Sequence, residues 1–164
     1  MRRHAFTLIE LLVVVAIIGL LSTIAVVSLN NARSNSRNAK RTADLKQYMT
    51  AFAVAYSANN SYPASGDACI SASCFGAWNT VSLDNNVDNF FSPYIKKPVD
   101  PTDTSRGRGG YIFTGGWSGG SSNGNYFPPG PIISYSLEKA VNCPFGQIWW
   151  QGTSETECVV NINF

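Results

Sequence analysis

A single carboxylate, Glu10, opens the chain's first half, and no other acid precedes Asp44. Glu10 stands directly ahead of an uncharged run, residues 11–29. A carboxylate placed deep in hydrocarbon costs on the order of 2.5–3.5 kcal/mol, so it demands an opposite charge at the same depth. Beyond the run, Arg33, Arg37, Lys40 and Arg41 cluster with no acid among them. That arrangement suits pairing with acidic groups of a neighbouring subunit, or with lipid headgroups, and the alternative is a solvated helix face.

Other chemistries are thinly supplied. His4 is the only histidine, so residues 5–164 offer no histidine base, no Ser-His-Asp or Cys-His arrangement and no histidine metal ligand. Cys69, Cys74, Cys143 and Cys158 lack a CxxC element, which argues against zinc. They permit three disulfide pairings, of which Cys69 with Cys74 and Cys143 with Cys158 closes the shortest loops. Closing the second of these would contribute roughly 3 kcal/mol by chain entropy. Asp100 and Asp103, with Thr102 and nearby carbonyls, are candidate hard-oxygen ligands for calcium, although Asp-Pro is also ordinary turn chemistry. Arg106 and Arg108, interleaved with Tyr111, Trp117 and Tyr126 in a Gly- and Ser-rich stretch, offer a thin case for touching DNA. The alternative there is a flexible surface loop over 105–130.

The elements that would position these groups fall into two kinds. Residues 11–29 form nineteen uncharged positions, as a helix roughly 28 Å long and enough to span a bilayer core. Farther on, Leu45, Met49, Phe52 and Tyr56 recur at helical spacing and define one apolar stripe suited to packing on a sheet. One helix from Phe6 to about Ser57 would measure roughly 78 Å, more than a compact domain of this size needs. Its first half would require lipid or other helices around it.

All eight prolines lie at or after Pro63, and Gly19 alone of fourteen glycines precedes Gly66. The sequence Asn59-Asn60-Ser61-Tyr62-Pro63 therefore ends the helix. Residues 64–110 read as an irregular connector with at most a short helix, pinned by the first cysteine pair and by Phe90, Phe91, Tyr94 and Ile95. Strands are expected at 111–114, 132–137, 147–150 and 159–162, where β-branched and aromatic runs are separated by Gly, Pro and Asn. Alternation would send one of Trp149 and Trp150 inward and the other outward. The fold class is α+β, with a long N-terminal helix packed on a small antiparallel sheet. Residues 42–164 hold six Lys/Arg against nine Asp/Glu, a net of −3, which is unlike a general nucleic-acid binder.

Arg2-Arg3-His4-Ala5 followed by Phe6-Thr7-Leu8-Ile9-Glu10 and an unbroken apolar run resembles the class III signal of type IV pilins and pseudopilins. The stretch 59–63 is similar to the sequence following the long helix in many pseudopilin-like proteins, and 98–103 resembles a loop where some secretion pseudopilins hold calcium. The resemblance implies a pilin-like fold and cleavage by a prepilin peptidase between Ala5 and Phe6, with N-methylation of Phe6. The new α-ammonium of Phe6 would then be the missing partner of Glu10 in a neighbouring subunit, fixing register. Ala5 stands where the family carries Gly, and Val27 where many members have a kinking Pro, leaving Gly19 as the weak point of the helix.

The implied organisation is a leader at 1–5, a membrane-spanning and filament-core segment at 6–30, an amphipathic half-helix at 31–58 and a globular domain at 59–164. Counting basic residues alone would place that domain in the cytoplasm, but the signal and the cysteine pairs place it outside. The implied function is nonenzymatic: a filament subunit held first in the cytoplasmic membrane. Its partners would be other pilin subunits, the peptidase, an assembly platform, a motor ATPase and membrane lipid. Two alternatives are a pseudopilin or minor pilin of a secretion or DNA-uptake system, and a membrane-anchored adhesion or binding domain that does not polymerise.

Overall fold

The computed structural model describes residues 7–76, 80–101 and 107–163. Two compact units divide the chain, Met1–Ser36 and Arg37–Phe164. The helix α1, Leu8–Asn59, contributes to both.

In the first unit, each residue from 7 to 33 is exposed, including Leu11, Ile17, Leu20 and Ile24. It contains the one helix segment among the described residues that is long and apolar enough to cross a membrane. Gly19 does not interrupt it, and a Cβ there would meet nothing within 4 Å. Ser22 and Thr23 return their hydroxyls to the carbonyls of Ile18 and Leu20, at 2.7 and 2.8 Å, so neither presents an unsatisfied donor to an apolar surrounding.

In the second unit, α1 ends as its asparagines require. Asn60 adopts a left-handed φ of 53° and donates its amide to Tyr56, 2.7 Å away, closing the last turn. Tyr62 then folds back, stacking on Tyr56 with centroids 4.7 Å apart and donating its hydroxyl to the Ile162 carbonyl at 2.5 Å. Burial, followed by the nearby Tyr56, pushes the Tyr62 phenol up to about 12.

A five-stranded antiparallel sheet packs on this part of the helix. Its strands are β1 (Asp67–Cys69), β4 (Tyr111–Trp117), β7 (Gly130–Glu138), β8 (Gln147–Gln151) and β9 (Glu155–Asn161), in the order β1-β4-β7-β9-β8. Two small ribbons flank it, β2 (Phe75–Gly76) with β3 (Arg108–Gly109), and β5 (Gly120–Ser122) with β6 (Asn125–Phe127). The short helix α2 (Asn85–Phe91) is capped by Asp84, whose carboxylate accepts from the Asn86 amide at 2.8 Å.

Alternation along the strands separates two faces. Tyr111, Phe113, Ile133, Tyr135, Leu137, Cys158 and Val160 meet Leu45, Tyr48, Phe52, Val87 and Phe91 in the main core. Phe52 stacks on Phe113 at 4.8 Å. The expected stripe is thus turned by part of a helical turn. Leu45 and Phe52 are fully buried as anticipated, but Tyr48 and Ala55 fill the other central positions, while Met49 and Tyr56 are only partly buried. Tyr48 can go inside because its hydroxyl donates to the Ile70 carbonyl, and Ala51 and Ala55 are small enough for close packing.

All four expected strands are present and longer than anticipated. The stretch expected as a flexible loop at 105–130 is largely strand over its described part, 107–130, because backbone pairing rather than side-chain propensity organises it. Phe91 enters the core, Phe90 and Ile95 border it, and Tyr94 stays exposed.

Candidate functional site

The chemistry-bearing end of α1 begins at Thr7. Its amide and its hydroxyl both reach Glu10 Oε2 at 2.8 Å, and the Glu10 amide returns to the Thr7 hydroxyl at 3.3 Å. This is a capping box: two polar side chains three residues apart satisfy each other's backbone donors at a helix start. The positive end of the helix dipole also favours a carboxylate there. The spacing Thr-x-x-Glu is present in the sequence, and the cap it forms gives Glu10 a local partner in addition to any external one. Both short bonds end on Oε2, and Oε1 accepts from no described residue. Ala5 and Phe6, the expected processing and methylation positions, lie outside the described residues.

The basic cluster is the principal correction. Arg37 donates from Nε and Nη2 to the two Glu138 oxygens, each at 2.6 Å. Arg41, only 1% exposed, donates from Nε to Asp100 Oδ1 at 2.7 Å, from Nη1 to Glu138 and Asn38 at 3.0 Å, and from Nη2 to the Pro101 carbonyl at 2.6 Å. Lys40 reaches Asp44 at 2.9 Å and the Val99 carbonyl at 2.8 Å. Three of the four basic residues therefore pair within the second unit of one chain, with acids 59 to 101 positions away as well as with Asp44 next to them on the helix. Sequence distance concealed those partners. Burial alone would raise the Glu138 carboxyl, but the two guanidinium groups outweigh it and hold the group below its ordinary value.

This network also claims a calcium candidate. Asp100 Oδ1 faces Arg41 and Oδ2 accepts the Gly110 amide at 2.6 Å, while the flanking Val99 and Pro101 carbonyls face Lys40 and Arg41. Oxygens expected around a divalent cation thus surround two side-chain cations. Asp103 lies outside the described residues.

Among the described residues, the arginine and aromatic groups considered for DNA do not form one exposed surface. Arg106 lies outside the described residues, Arg108 pairs with Glu155 at 3.2 Å, Tyr111 is fully buried, and Tyr126 is exposed. Trp149 joins Trp117, Phe127, Ile132 and Val159 in a small cluster apart from the main core, and Trp150 lies against Arg108 on the surface. Neither tryptophan enters the helix-facing core.

Cys69 bonds Cys74 and Cys143 bonds Cys158. The first ties β1 to the segment before β2, and the second ties β9 to the segment leading into β8.

Comparison with known proteins gives these features a common frame. Residues 1–26 match the family model described as the prokaryotic N-terminal methylation motif. The chain thus carries the class III signal of type IV pilins and pseudopilins, on an α+β fold that is pilin-like. No curated protein and no solved structure matches the chain. Proteins bearing this motif are structural rather than enzymatic, and the motif together with the exposed apolar helix fits a membrane-anchored chain.

Proposed function

We propose that the chain is a structural subunit of a type IV pilus or a related filament. The peptidase cuts between Ala5 and Phe6, Phe6 is methylated, and the subunit polymerises through residues 6–30 with Arg37–Phe164 outside the cytoplasm. The observation that carries this reading is the conjunction of the methylation motif with a helix whose apolar residues are exposed all round. A helix apolar on every side needs lipid or other helices as its surroundings. A filament core supplies the second after the membrane has supplied the first.

The capping box supports a refined role for Glu10. Before assembly, Oε2 holds the helix start through Thr7, and Oε1 remains for the α-ammonium of a neighbouring Phe6. The unpaired charge of a misplaced subunit would be costly, which makes the pair a device for register. An assembly platform and a motor ATPase would be required to move the subunit out of the membrane.

Intact-mass and N-terminal analysis of the native protein tests the reading directly. The expected product begins at methylated Phe6. A chain that still begins at Met1 in cells with an active prepilin peptidase removes the proposal.

A further inference from the structure

The sheet has a second face, and two irregularities shape it. In β4, Thr114 pairs with Ile132 but Trp117 pairs with Gly130, so β4 carries one residue more than β7 over that interval. Gly115 makes this bulge feasible: its amide and that of Gly116 both donate to the Ser65 carbonyl, and a Cβ on Gly115 would lie 2.2 Å from the Pro63 carbonyl oxygen. In β8, Ile148 opposes Cys158 and Trp150 opposes Glu157, leaving Trp149 as the additional residue. Bulges re-aim side chains. Both of these bring a tryptophan to the same place, where Trp117 and Trp149 meet edge to face at 5.4 Å.

The place is a cavity of about 160 Å³, lined by those indoles, by Ile112 and Val159, and by the carboxylates of Asp67 and Glu157. It is too small for a drug-sized ligand, whose pockets run to about 300–1,000 Å³, but suits one headgroup or side-chain tip. The β5–β6 ribbon is tied to the Trp149 segment, with Ser122 donating to the Trp149 carbonyl at 2.6 Å and Asn125 to the Ile148 carbonyl at 3.1 Å.

The two carboxylates differ. Asp67 is exposed and accepts the Thr114 hydroxyl at 2.6 Å. Glu157 is only 9% exposed, and no described residue donates a hydrogen bond to its carboxylate. Its cation, Arg108 Nε, stands 3.6 Å off, while that guanidinium also holds Glu155 and covers Trp150. Burial raises the Glu157 carboxyl above its ordinary value, only partly offset by Arg108. A desolvated carboxylate with so little compensation is costly, and a ligand that brings both positive charge and N–H donors relieves it. Indole walls favour the same ligand through cation–π attraction. A neutral sugar would supply hydroxyl donors but no charge.

We propose that this cavity binds a primary ammonium group on a short alkyl stem, with Glu157 as its counter-ion and Trp117 and Trp149 as its walls. The source is a lysine side chain or a small free amine. This site lies wholly in Arg37–Phe164 and stands independently of the filament reading.

The full chain, held in a nonionic polyoxyethylene detergent, is titrated with n-butylammonium chloride while tryptophan fluorescence is followed, against sodium chloride at matched ionic strength. A saturable change with a Kd of roughly millimolar order is expected. Glu157→Gln, an isosteric change that removes a buried charge, weakens binding at least about tenfold, and Asp67→Asn at the exposed rim weakens it less. Circular dichroism confirms that both variants are folded. Choline, which has no N–H donor, is expected to bind more weakly. The proposal is overturned if butylammonium behaves like sodium, if folded Glu157→Gln binds it unchanged, or if choline or methyl glucoside binds as tightly.

Discussion

The two units of this chain solve opposite problems with one kind of element. In residues 7–33, the backbone is helical from Leu8 onward and Thr7 and Glu10 cap its start, but no apolar side chain is covered by the chain itself. In Arg37–Phe164, the same helix turns one face inward, to a paired ionic cluster at Arg37 and Arg41 and then to a closed core from Leu45 onward. The lesson is that α1 is one structural element but two energetic ones. Its second part is stabilised by contacts already present, its first by a surrounding that another medium or molecule must supply.

The largest expected effect separates the two parts most sharply. Glu10→Val should abolish filament incorporation while leaving membrane insertion, cleavage and the thermal melting of the globular unit unchanged. Sheared-filament yield and circular dichroism on the same preparation check both halves, and normal incorporation of the variant would remove the register role of Glu10.

Next comes Arg41→Ala, which removes the buried guanidinium between Asp100 and Glu138 and leaves Glu138 to Arg37 and Asp100 to the Gly110 amide. It should destabilise the second unit by about 3–5 kcal/mol, read from chemical denaturation. A loss below about 1 kcal/mol, the range of exposed pairs, would mean that the network contributes little beyond surface charge. Replacing Cys143 and Cys158 together by Ser should cost roughly 3 kcal/mol in the same assay.

A smaller effect concerns acid. Because Glu138 is held below its ordinary value in the folded state, its contribution is present above the ordinary glutamate value of 4.5 and fades as pH falls through the folded value. The melting temperature should therefore drop on acidification, and Glu138→Gln, itself less stable near neutrality, should flatten part of that slope. Smallest of all, Val14→Ala should leave the melting of the second unit unchanged within about 0.5 kcal/mol.

What could be read in advance follows the same division. The first unit was legible because its signal is compositional: an uncharged run of nineteen residues behind Glu10 needs no partner to be recognised. In the second, β7 and β9 announced themselves through runs such as Ile132-Ile133 and Val159-Val160. β1, with Asp67-Ala68-Cys69, and β5, with Gly120-Ser121-Ser122, carry no such propensity and exist because neighbouring backbones supply their hydrogen bonds. The Tyr48 position was missed because its burial depends on an acceptor, Ile70, that only the fold brings near. The acids facing Arg37 and Arg41 were hidden for the same reason. The Thr7–Glu10 cap is different, since its two residues stand three apart and its spacing is fully legible in the sequence.

The bond between Cys143 and Cys158 has a kinetic side as well as a stabilising one. Cys158 is fully buried on β9, opposite Tyr135, whereas Cys143 is partly exposed. A reducing thiolate approaching from outside would attack the Cys143 sulfur and would have to expel the Cys158 thiolate into an apolar interior. Such surroundings raise a thiol's pKa, and a high-pKa thiol leaves slowly. The folded unit therefore shields its own cross-link, and the rate at which reductant opens that bond is a clock for how often the core around β9 comes apart.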